Sequence, residues 1–342
     1  MSLRAFLHMY GAQRVPQYAP QPELWNSDPD QELKTVLDYE VPSDEWAAIL
    51  PAVPTDWSPT TWTDRPRRFI DGSDVGETVV VLRAPGGYPI AMRLSQIGST
   101  AIEVVDGICY RRFAVVERVV SMVVKPFPWY EIESLAAALQ EQGFRLLPAQ
   151  WPTKGIPYDF EVMRKAAQNR SNDEMATLEE YAVAQDNEVP TVVDGRLEPR
   201  SGGFDQERSP VIGVVKTHHQ NYLHPLGMQL MYQLQLGQRT PVFAIPGALE
   251  IASWYLRLED GMPNYGLVRI ELPKKWFEQV KGFDFSYVNQ LSRLLYDYRC
   301  RDQSYGRAAI SLHPTVRAEQ SLAALFQPLP MLMSRFYRMA AL

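Results

Sequence analysis

Two apolar segments that end in Asp-Gly place the strongest constraint on how this chain folds. Residues 69–73 read FIDGS and carry Asp71, and residues 192–196 read VVDGR and carry Asp194. Each pattern predicts a buried strand that ends at the acid, because Asp-Gly is a common turn pair. One such acid is usually only a turn residue. Two in equivalent positions suggest instead a pair of carboxylates held rigidly at the ends of strands.

The remaining pattern predicts strands first and a mixture of strands and helices later. Residues 67–124 are rich in strand formers, with a hairpin turn predicted at Pro85-Gly86-Gly87. Helices are predicted at residues 131–142 and 159–186, and further strands and helices alternate toward the C-terminus. This succession predicts an α/β or mixed α+β fold.

Composition suggests three segments. Residues 1–65 are rich in Pro and Trp and predict an arm of short helices that packs on the body or on another subunit. Residues 66–325 form the predicted main domain. Residues 326–342 predict an apolar C-terminal helix that contributes to the core or to an oligomer contact.

Charge and cysteine content narrow the functional classes. The formal net charge of −6 counts against a protein that grips nucleic acid non-specifically on its own, although it allows a local basic channel or a substrate delivered by a partner. Two cysteines without a CxxC pair favour a reducing cytosol. No apolar run reaches about 18 residues, and no secretory signal is evident, so a cytoplasmic protein without a membrane segment is expected.

The long predicted helix before the second Asp-Gly adds a third kind of acid. It carries Glu174, Glu179 and Glu180. A strand acid, a helix acid and a strand acid occur in the order of a ribonuclease H-like site, in which two divalent ions lie about 4 Å apart between carboxylates. Oxygen ligands of this kind suit Mg²⁺ or Mn²⁺. Carboxylates held close together repel, and that repulsion promotes ion uptake.

Four motifs in order resemble the NurA nuclease family. They are FIDGS with Asp71, VVDGRL with Asp194, GVVK with Lys216, and RIELP with Arg269 and Glu271, and the resemblance spans roughly residues 65 to 325. It implies a ribonuclease H-like (Piwi-like) mixed sheet flanked by helices. It also implies a metal-dependent DNA exonuclease and single-strand endonuclease. Members of the family act with the HerA hexameric ATPase in DNA end processing or defence, so the resemblance implies such a partner. It also implies a homodimer.

The family pattern leaves the helix acid open. Its usual spacing before the second Asp falls between Glu174 and Glu179. We favour Glu174, because it precedes Met175 and lies one turn before Leu178, beside the predicted inner face of the helix.

The late family motif is degraded in this chain. His313 is our choice for the late residue, and Asp302 and Glu319 are the alternatives. Lys216 ends an apolar strand, where an ammonium group is costly without a partner; it either contacts a phosphate beside the carboxylates or extends to a nearby surface. The predicted catalytic residues are therefore Asp71, Glu174, Asp194, Lys216 and His313, and the predicted ligands of Mn²⁺ or Mg²⁺ are Asp71, Glu174 and Asp194.

Two other functions stay open. A catalytically weak family member would serve as an adaptor or regulator of the ATPase, and a ribonuclease H-like enzyme would instead act on RNA.

Three histidines form a further candidate metal site. His218, His219 and His224 lie close in sequence, but His218 and His219 are adjacent and would point to opposite faces of a strand. We interpret these histidines as polar groups at a strand end rather than as metal ligands.

Overall fold

The computed structural model describes residues 1–14, 37–153, 159–186, 188–197, 210–216, 222–261, 265–302 and 304–341. The strands are β1 (Gln13–Arg14), β2 (Leu37–Asp38), β3 (Arg68–Arg83), β4 (Pro89–Val105), β5 (Ile108–Val123), β6 (Arg145–Ala149), β7 (Thr191–Asp194), β8 (Val211–Val215), β9 (Phe243–Ile245), β10 (Ile251–Arg257) and β11 (Leu267–Pro273). The helices are α1 (Leu3–Met9), α2 (Trp129–Glu141), α3 (Phe160–Ala184), α4 (Pro225–Gln233), α5 (Lys274–Lys281), α6 (Phe285–Asp297), α7 (His313–Ala323) and α8 (Leu329–Ala340).

All of these strands belong to one mixed sheet. Its order is β2-β9-β10-β11-β8-β7-β3-β4-β5-β6. β1 pairs with residues 80–81 of β3. The pairs β3–β7, β7–β8 and β5–β6 are parallel, and the other neighbours are antiparallel. Helices flank the sheet, so the α/β class predicted from the sequence is confirmed.

The first predicted strand does not end at Asp71, which corrects the interpretation of FIDGS. β3 continues to Arg83 and pairs with β4 throughout, with Asp71 opposite Thr100 and Gly72 opposite Ser99. What ends near Asp71 is the parallel pairing with β7, which covers only residues 68–70 of β3. Pairing with β4 keeps the chain extended through the polar segment at 73–77, and the apolar run at 79–82 then has high β propensity of its own. The hairpin predicted at Pro85-Gly86-Gly87 is confirmed, since it joins β3 to β4.

Two helices cover opposite faces of β3 and β4 near Asp71. A Cβ added at Gly72 would meet Met175 of α3, whereas a Cβ added at Gly98 would lie 3.0 Å from Leu322 of α7. Gly72 pairs with the residue next to Gly98 in β4, and side chains alternate between faces along a strand. The two helices therefore enclose this part of the sheet from opposite sides.

Helices α1 and α8 pack on the half of the β3–β4 hairpin that lies nearest its turn. Leu3, Phe6 and Leu7 of α1 share one buried apolar cluster with Leu332 and Phe336 of α8 and with residues of β3, β4 and β5. Residues 15–36 of the predicted arm lie outside the described part of the chain, and the division at residues 65 and 325 stays a prediction. None of the described helices is both long and apolar enough to cross a bilayer.

Candidate functional site

Asp71 and Asp194 lie on adjacent parallel strands. Ile70 of β3 is in register with Val193 of β7, and each acid is the next residue along its strand. β7 ends at Asp194, and Gly195 then turns the chain with a φ of +136°, a conformation that favours glycine. Asp71 is only 7% exposed. The two acids therefore stand side by side where β3 and β7 separate.

Lys216 lies beside this pair. β8 runs parallel to β7, with Val214 in register with Asp194, and Lys216 follows the last residue of β8. The Lys216 ammonium is buried and donates a hydrogen bond to Oδ2 of Asp194 over 2.5 Å. An ammonium in such a place needs an anionic partner to offset the loss of solvation, and Asp194 supplies it.

Glu174, the helix acid favoured from the sequence, contacts two arginines instead of the strand acids. Its carboxylate accepts hydrogen bonds from Arg145 at 2.6 Å and from Arg170 at 2.7 Å. Burial acts to raise the pKa of Glu174, but the two arginines outweigh it and hold that pKa below its usual range. Glu179 lies five residues further along α3, which turns it by about 140° around the helix axis.

Glu179 is the α3 acid that approaches the strand acids. A Cβ added at Gly72, the residue after Asp71, would lie 2.7 Å from Oε1 of Glu179 and 2.3 Å from the sulfur of Met175. The negative charge of Glu179 also acts on Asp71. Glycine at position 72 therefore allows α3 to bring Glu179 close to the backbone of β3.

Of the three late candidates, Glu319 approaches Asp71 and the other two are placed elsewhere. Glu319 of α7 accepts a hydrogen bond from the hydroxyl of Tyr305, and its charge acts on Asp71. Asp302 is exposed and accepts hydrogen bonds from the backbone and side chain of Ser304. His313, the choice made from the sequence, is the first residue of α7 and lines a separate cavity.

The charges around Asp71 shift its ionisation. Burial is the largest cause of a raised pKa at this carboxyl group, and the negative charges of Asp194 and Glu179 raise it further. The positive charge of Lys216 acts to lower this pKa and partly offsets the rise, whereas the negative charge of Glu319 raises it further. Asp71 thus stands in a field of excess negative charge, which a cation would relieve.

The donor atoms at this position are carboxylate oxygens, the ligands that a hard divalent cation prefers. Within the described ranges, no three His, Cys, Asp or Glu side chains are grouped tightly enough to hold a metal ion. Mg²⁺, however, usually binds through one or two carboxylates and keeps several waters, and substrate phosphates supply further oxygens. The Asp71–Asp194 pair matches that chemistry, because it provides carboxylates at a position where negative charge accumulates.

A buried arginine ties α3 to the strand that carries Asp71. Arg68 is only 5% exposed, and its guanidinium donates hydrogen bonds to the carbonyls of Val183 at 3.2 Å, of Asp186 at 3.0 Å and of Ala182. These carbonyls lie at the C-terminal end of α3, where a positive charge is favourable. Sequence reasoning missed this residue, because an Arg-Arg pair is usually a solvated surface feature.

The RIELP motif also has a structural role. Arg269 and Glu271 of β11 form a buried ion pair at 2.6 Å, and the Arg269 guanidinium lies 4.6 Å from the centre of the Tyr222 ring. The other oxygen of Glu271 accepts the backbone N–H of Leu197 over 2.8 Å. This contact holds the segment that follows Asp194 and so helps to orient that acid.

The histidine cluster does not gather into a site within the described chain. His224 is the N-cap of α4, where its Nδ1 accepts the backbone N–H of Gly227 over 3.2 Å, and its ring packs edge-on against Trp46. His218 and His219 lie outside the described residues.

The class that emerges is an α/β protein with a cluster of carboxylates and a lysine at the parallel strands of a mixed sheet. No protein-family model matches the sequence, and no curated protein matches it either. Among solved structures, the chain is similar to the NurA nuclease from Sulfolobus solfataricus, with a TM-score of 0.41 and 10% sequence identity. That similarity covers 76% of this chain and 79% of the NurA chain.

Proposed function

We propose that the protein is a nuclease that hydrolyses phosphodiester bonds in DNA with the help of Mn²⁺ or Mg²⁺. The observation that carries the proposal is the placement of Asp71 beside Asp194 on parallel strands in register, with Lys216 bonded to Asp194. Buried acids with a raised pKa and a specific charged partner are concentrated at functional sites, which supports this proposal.

The topology supports a ribonuclease H-like core. β3, β4 and β5 are consecutive antiparallel strands, and β7 and β8 continue the sheet on the other side of β3 in parallel. The long helix α3 lies between these two groups in sequence. The order of the motifs along the chain adds support, since FIDGS, VVDGRL and GVVK lie at adjacent positions of this sheet.

In the proposed mechanism, Asp71 and Asp194 hold the cation, and Glu179 and Glu319 flank them. When bound at these two carboxylates, a divalent ion would supply positive charge for a phosphodiester oxygen and would lower the pKa of a water molecule. Lys216 keeps Asp194 oriented and presents its ammonium to a phosphate oxygen, where negative charge develops in the transition state. Burial of Asp71 excludes bulk water from one side of the site, which strengthens these interactions.

The family resemblance of the motifs extends the proposal to partners. We propose a homodimer that acts with a HerA-like hexameric ATPase in DNA end processing or defence. An acidic protein of this kind would receive DNA from the motor rather than bind it tightly by itself. Light scattering at micromolar concentration tests the dimer, and co-purification with such an ATPase tests the partner.

A second candidate function has its own support. The carboxylate of Asp194 is already bonded to Lys216, and no closed group of three metal ligands occurs in the described ranges. A catalytically weak chain with this site would act as an adaptor or regulator of the ATPase. The two candidates differ in one measurable property, which is metal-dependent cleavage by the purified protein.

The experiment is a cleavage assay on single-stranded DNA, duplex DNA and RNA, with Mn²⁺, with Mg²⁺ and with a chelator. We expect DNA cleavage that requires the metal and falls by about a hundredfold or more in Asp71→Asn, Asp194→Asn and Glu179→Gln. Glu174→Gln is the matched control, because it removes the same charge from the same helix at a position bonded to arginines. Thermal melting confirms that each variant is folded.

The outcomes separate the candidates. Absence of cleavage on every substrate would favour the adaptor, and cleavage restricted to RNA would change the substrate class. Wild-type cleavage by Asp71→Asn would remove the site from the mechanism. Loss of cleavage in Glu174→Gln with full activity in Glu179→Gln would show that Glu174, the helix acid favoured from the sequence, belongs to the site.

A further inference from the structure

A second cavity, of about 320 Å³, lies at the N-terminal end of α7, away from the carboxylates. His313 and Pro314, the first residues of the helix, form part of its wall. The rest comes from the turn between β4 and β5 and from the segment after α6. The side chains with polar or reactive groups on its wall are Cys109, Asp297, Tyr298, Arg299, Arg301, Asp302 and His313.

The charged side chains on the cavity wall are two acids and two arginines, and one of the acids is already paired. Asp297 forms an ion pair with Arg293 at 3.2 Å. The exposed carboxylate of Asp302 accepts two hydrogen bonds from Ser304 and stays charged. Arg301 is exposed and makes no hydrogen bond or ion pair within the described part of the chain.

Arg299 adds a fixed positive charge to the wall of the same cavity. One of its terminal nitrogens donates to the carbonyl of Tyr296 over 2.9 Å, and its guanidinium lies 4.0 Å from the centre of the Tyr296 ring. These contacts hold the side chain in place. An oxygen-rich anion in the cavity would be attracted by this guanidinium and by Arg301.

Positive charge continues from the cavity along one face of α7. Arg317 lies four residues after His313, so the two side chains share a face of the helix. The charge of Arg317 acts on Cys109, Asp302 and His313, all of which line the cavity. The helix N-terminus adds a partial positive charge at the same place.

The same helix connects this cavity to the carboxylate site. Glu319, whose charge acts on Asp71, lies six residues after His313 on α7. At a rise of 1.5 Å per residue, this places the two positions about 9 Å apart along the helix axis. A nucleic-acid strand held at the cleavage site extends over distances of this order.

We infer that this cavity, which we call the α7 cavity, binds a backbone phosphate of the nucleic-acid strand whose scissile bond lies at Asp71 and Asp194. The inference rests on the proposed nuclease function and extends it with a second contact on the substrate. Arg299, Arg301 and Arg317 supply the positive charge, and the contacts of Arg299 with Tyr296 hold its guanidinium in place. A free mononucleotide carries the same phosphate chemistry, so the test must distinguish the two sources.

Cys109 gives a direct readout of occupancy. It lines the α7 cavity and is partly exposed, whereas Cys300, the second of the two cysteines in the sequence, is only 3% exposed. Burial raises the pKa of the Cys109 thiol, so alkylation by a maleimide is measured at mildly alkaline pH. Mass spectrometry then follows the rate at Cys109, with Cys300 as the internal reference.

The expected result is that an oligothymidylate of about 12 nucleotides slows alkylation of Cys109, whereas thymidine monophosphate at the same nucleotide concentration does not. The assay contains a chelator, so the oligonucleotide stays intact. Protection by the mononucleotide alone would assign the cavity to a free nucleotide and overturn the inference. Unchanged alkylation while fluorescence anisotropy reports bound DNA would overturn the inference and leave the proposed nuclease standing. If no DNA binds up to the highest protein concentration used, the inference fails, whereas the nuclease proposal is decided separately by the cleavage assay with metal.

Substitutions on the cavity test the charge argument. Arg301→Gln and Arg317→Gln change exposed side chains and should each lower the slope of log affinity against log salt by about 0.7, the value for one phosphate contact on a single strand. Arg164→Gln removes an exposed arginine at the far end of α3, where it pairs with Glu161, and should leave the slope unchanged. Equal slopes in all three variants and the wild type would remove the arginines from the site.

Discussion

The carboxylate of Glu179 occupies the space that a side chain at position 72 would need. A Cβ added at Gly72 would lie 2.7 Å from Oε1 of Glu179 and 2.3 Å from the sulfur of Met175, both closer than ordinary contact allows. Gly72 forms no turn, because β3 continues through it. Its missing side chain instead leaves room for the carboxylate of Glu179, on helix α3, beside the strand that carries Asp71.

The first prediction is that Gly72→Ala lowers nuclease activity and costs no more than about 1 kcal/mol of stability. The added methyl group meets the ends of two flexible side chains, Met175 and Glu179, which must move aside, and the Glu179 carboxylate is displaced. Chemical denaturation and cleavage assays measure the two effects. Gly306→Ala is the control, because a Cβ at that exposed position meets nothing within 4 Å. A Gly72→Ala protein that is as stable and active as wild type would refute this close approach.

The second prediction concerns pH. Because the folded state raises the pKa of Asp71, the folded protein retains a proton that the unfolded chain loses above an ordinary carboxyl pKa of about 3.9. Wild-type stability therefore falls as pH rises from that value through the raised pKa, by about 1.4 kcal/mol for each unit of the shift. Asp71→Asn has no proton to lose. It should be more stable than wild type at neutral pH, and the difference should vanish below about pH 4.

Urea denaturation between acidic and neutral pH, in the presence of a chelator, measures this difference. Asp302→Asn serves as the control, since its hydrogen bonds from Ser304 lower the pKa of that carboxyl group. As pH rises, Asp302→Asn should show no gain in stability over the wild-type protein. An Asp71→Asn protein less stable than wild type at neutral pH would show that the carboxylate is stabilised in the fold rather than strained.

The third prediction concerns Arg68. Arg68→Ala leaves the carbonyls at the end of α3 without their donor and should cost about 2–4 kcal/mol of stability. Hydrogen exchange should show the last turn of α3 opening more readily than the rest of the helix. Arg67→Ala changes the neighbouring arginine, which is more exposed, and should have a smaller effect. Equal losses in the two variants would deny Arg68 its specific role.

How far the sequence predicts the fold is clearest at β3 and α3. Local propensity indicated the hairpin and the limits of α3 to within a few residues, because these depend on near neighbours in the chain. It did not indicate that β3 passes through Asp71, since its continuation depends on pairing with β4, which is distant in sequence. The spacing in the family that the sequence resembles pointed between Glu174 and Glu179, with Glu180 also left open. Only the rotation of the helix against β3 separates Glu174 from Glu179.

The last prediction concerns Lys216, whose ammonium is bonded to Asp194 and stands in the field of Asp71. If this ammonium contacts the reacting phosphate, Lys216→Ala should slow the chemical step by about a hundredfold or more. Lys216→Arg should recover only part of the rate, because a planar guanidinium does not reproduce a compact point charge. DNA affinity should change little, since many other contacts share the binding. Single-turnover cleavage at saturating Mn²⁺ measures the step. A lysine that only balances the charge of Asp194 predicts a loss of stability with unaltered chemistry, and that result would remove Lys216 from the mechanism.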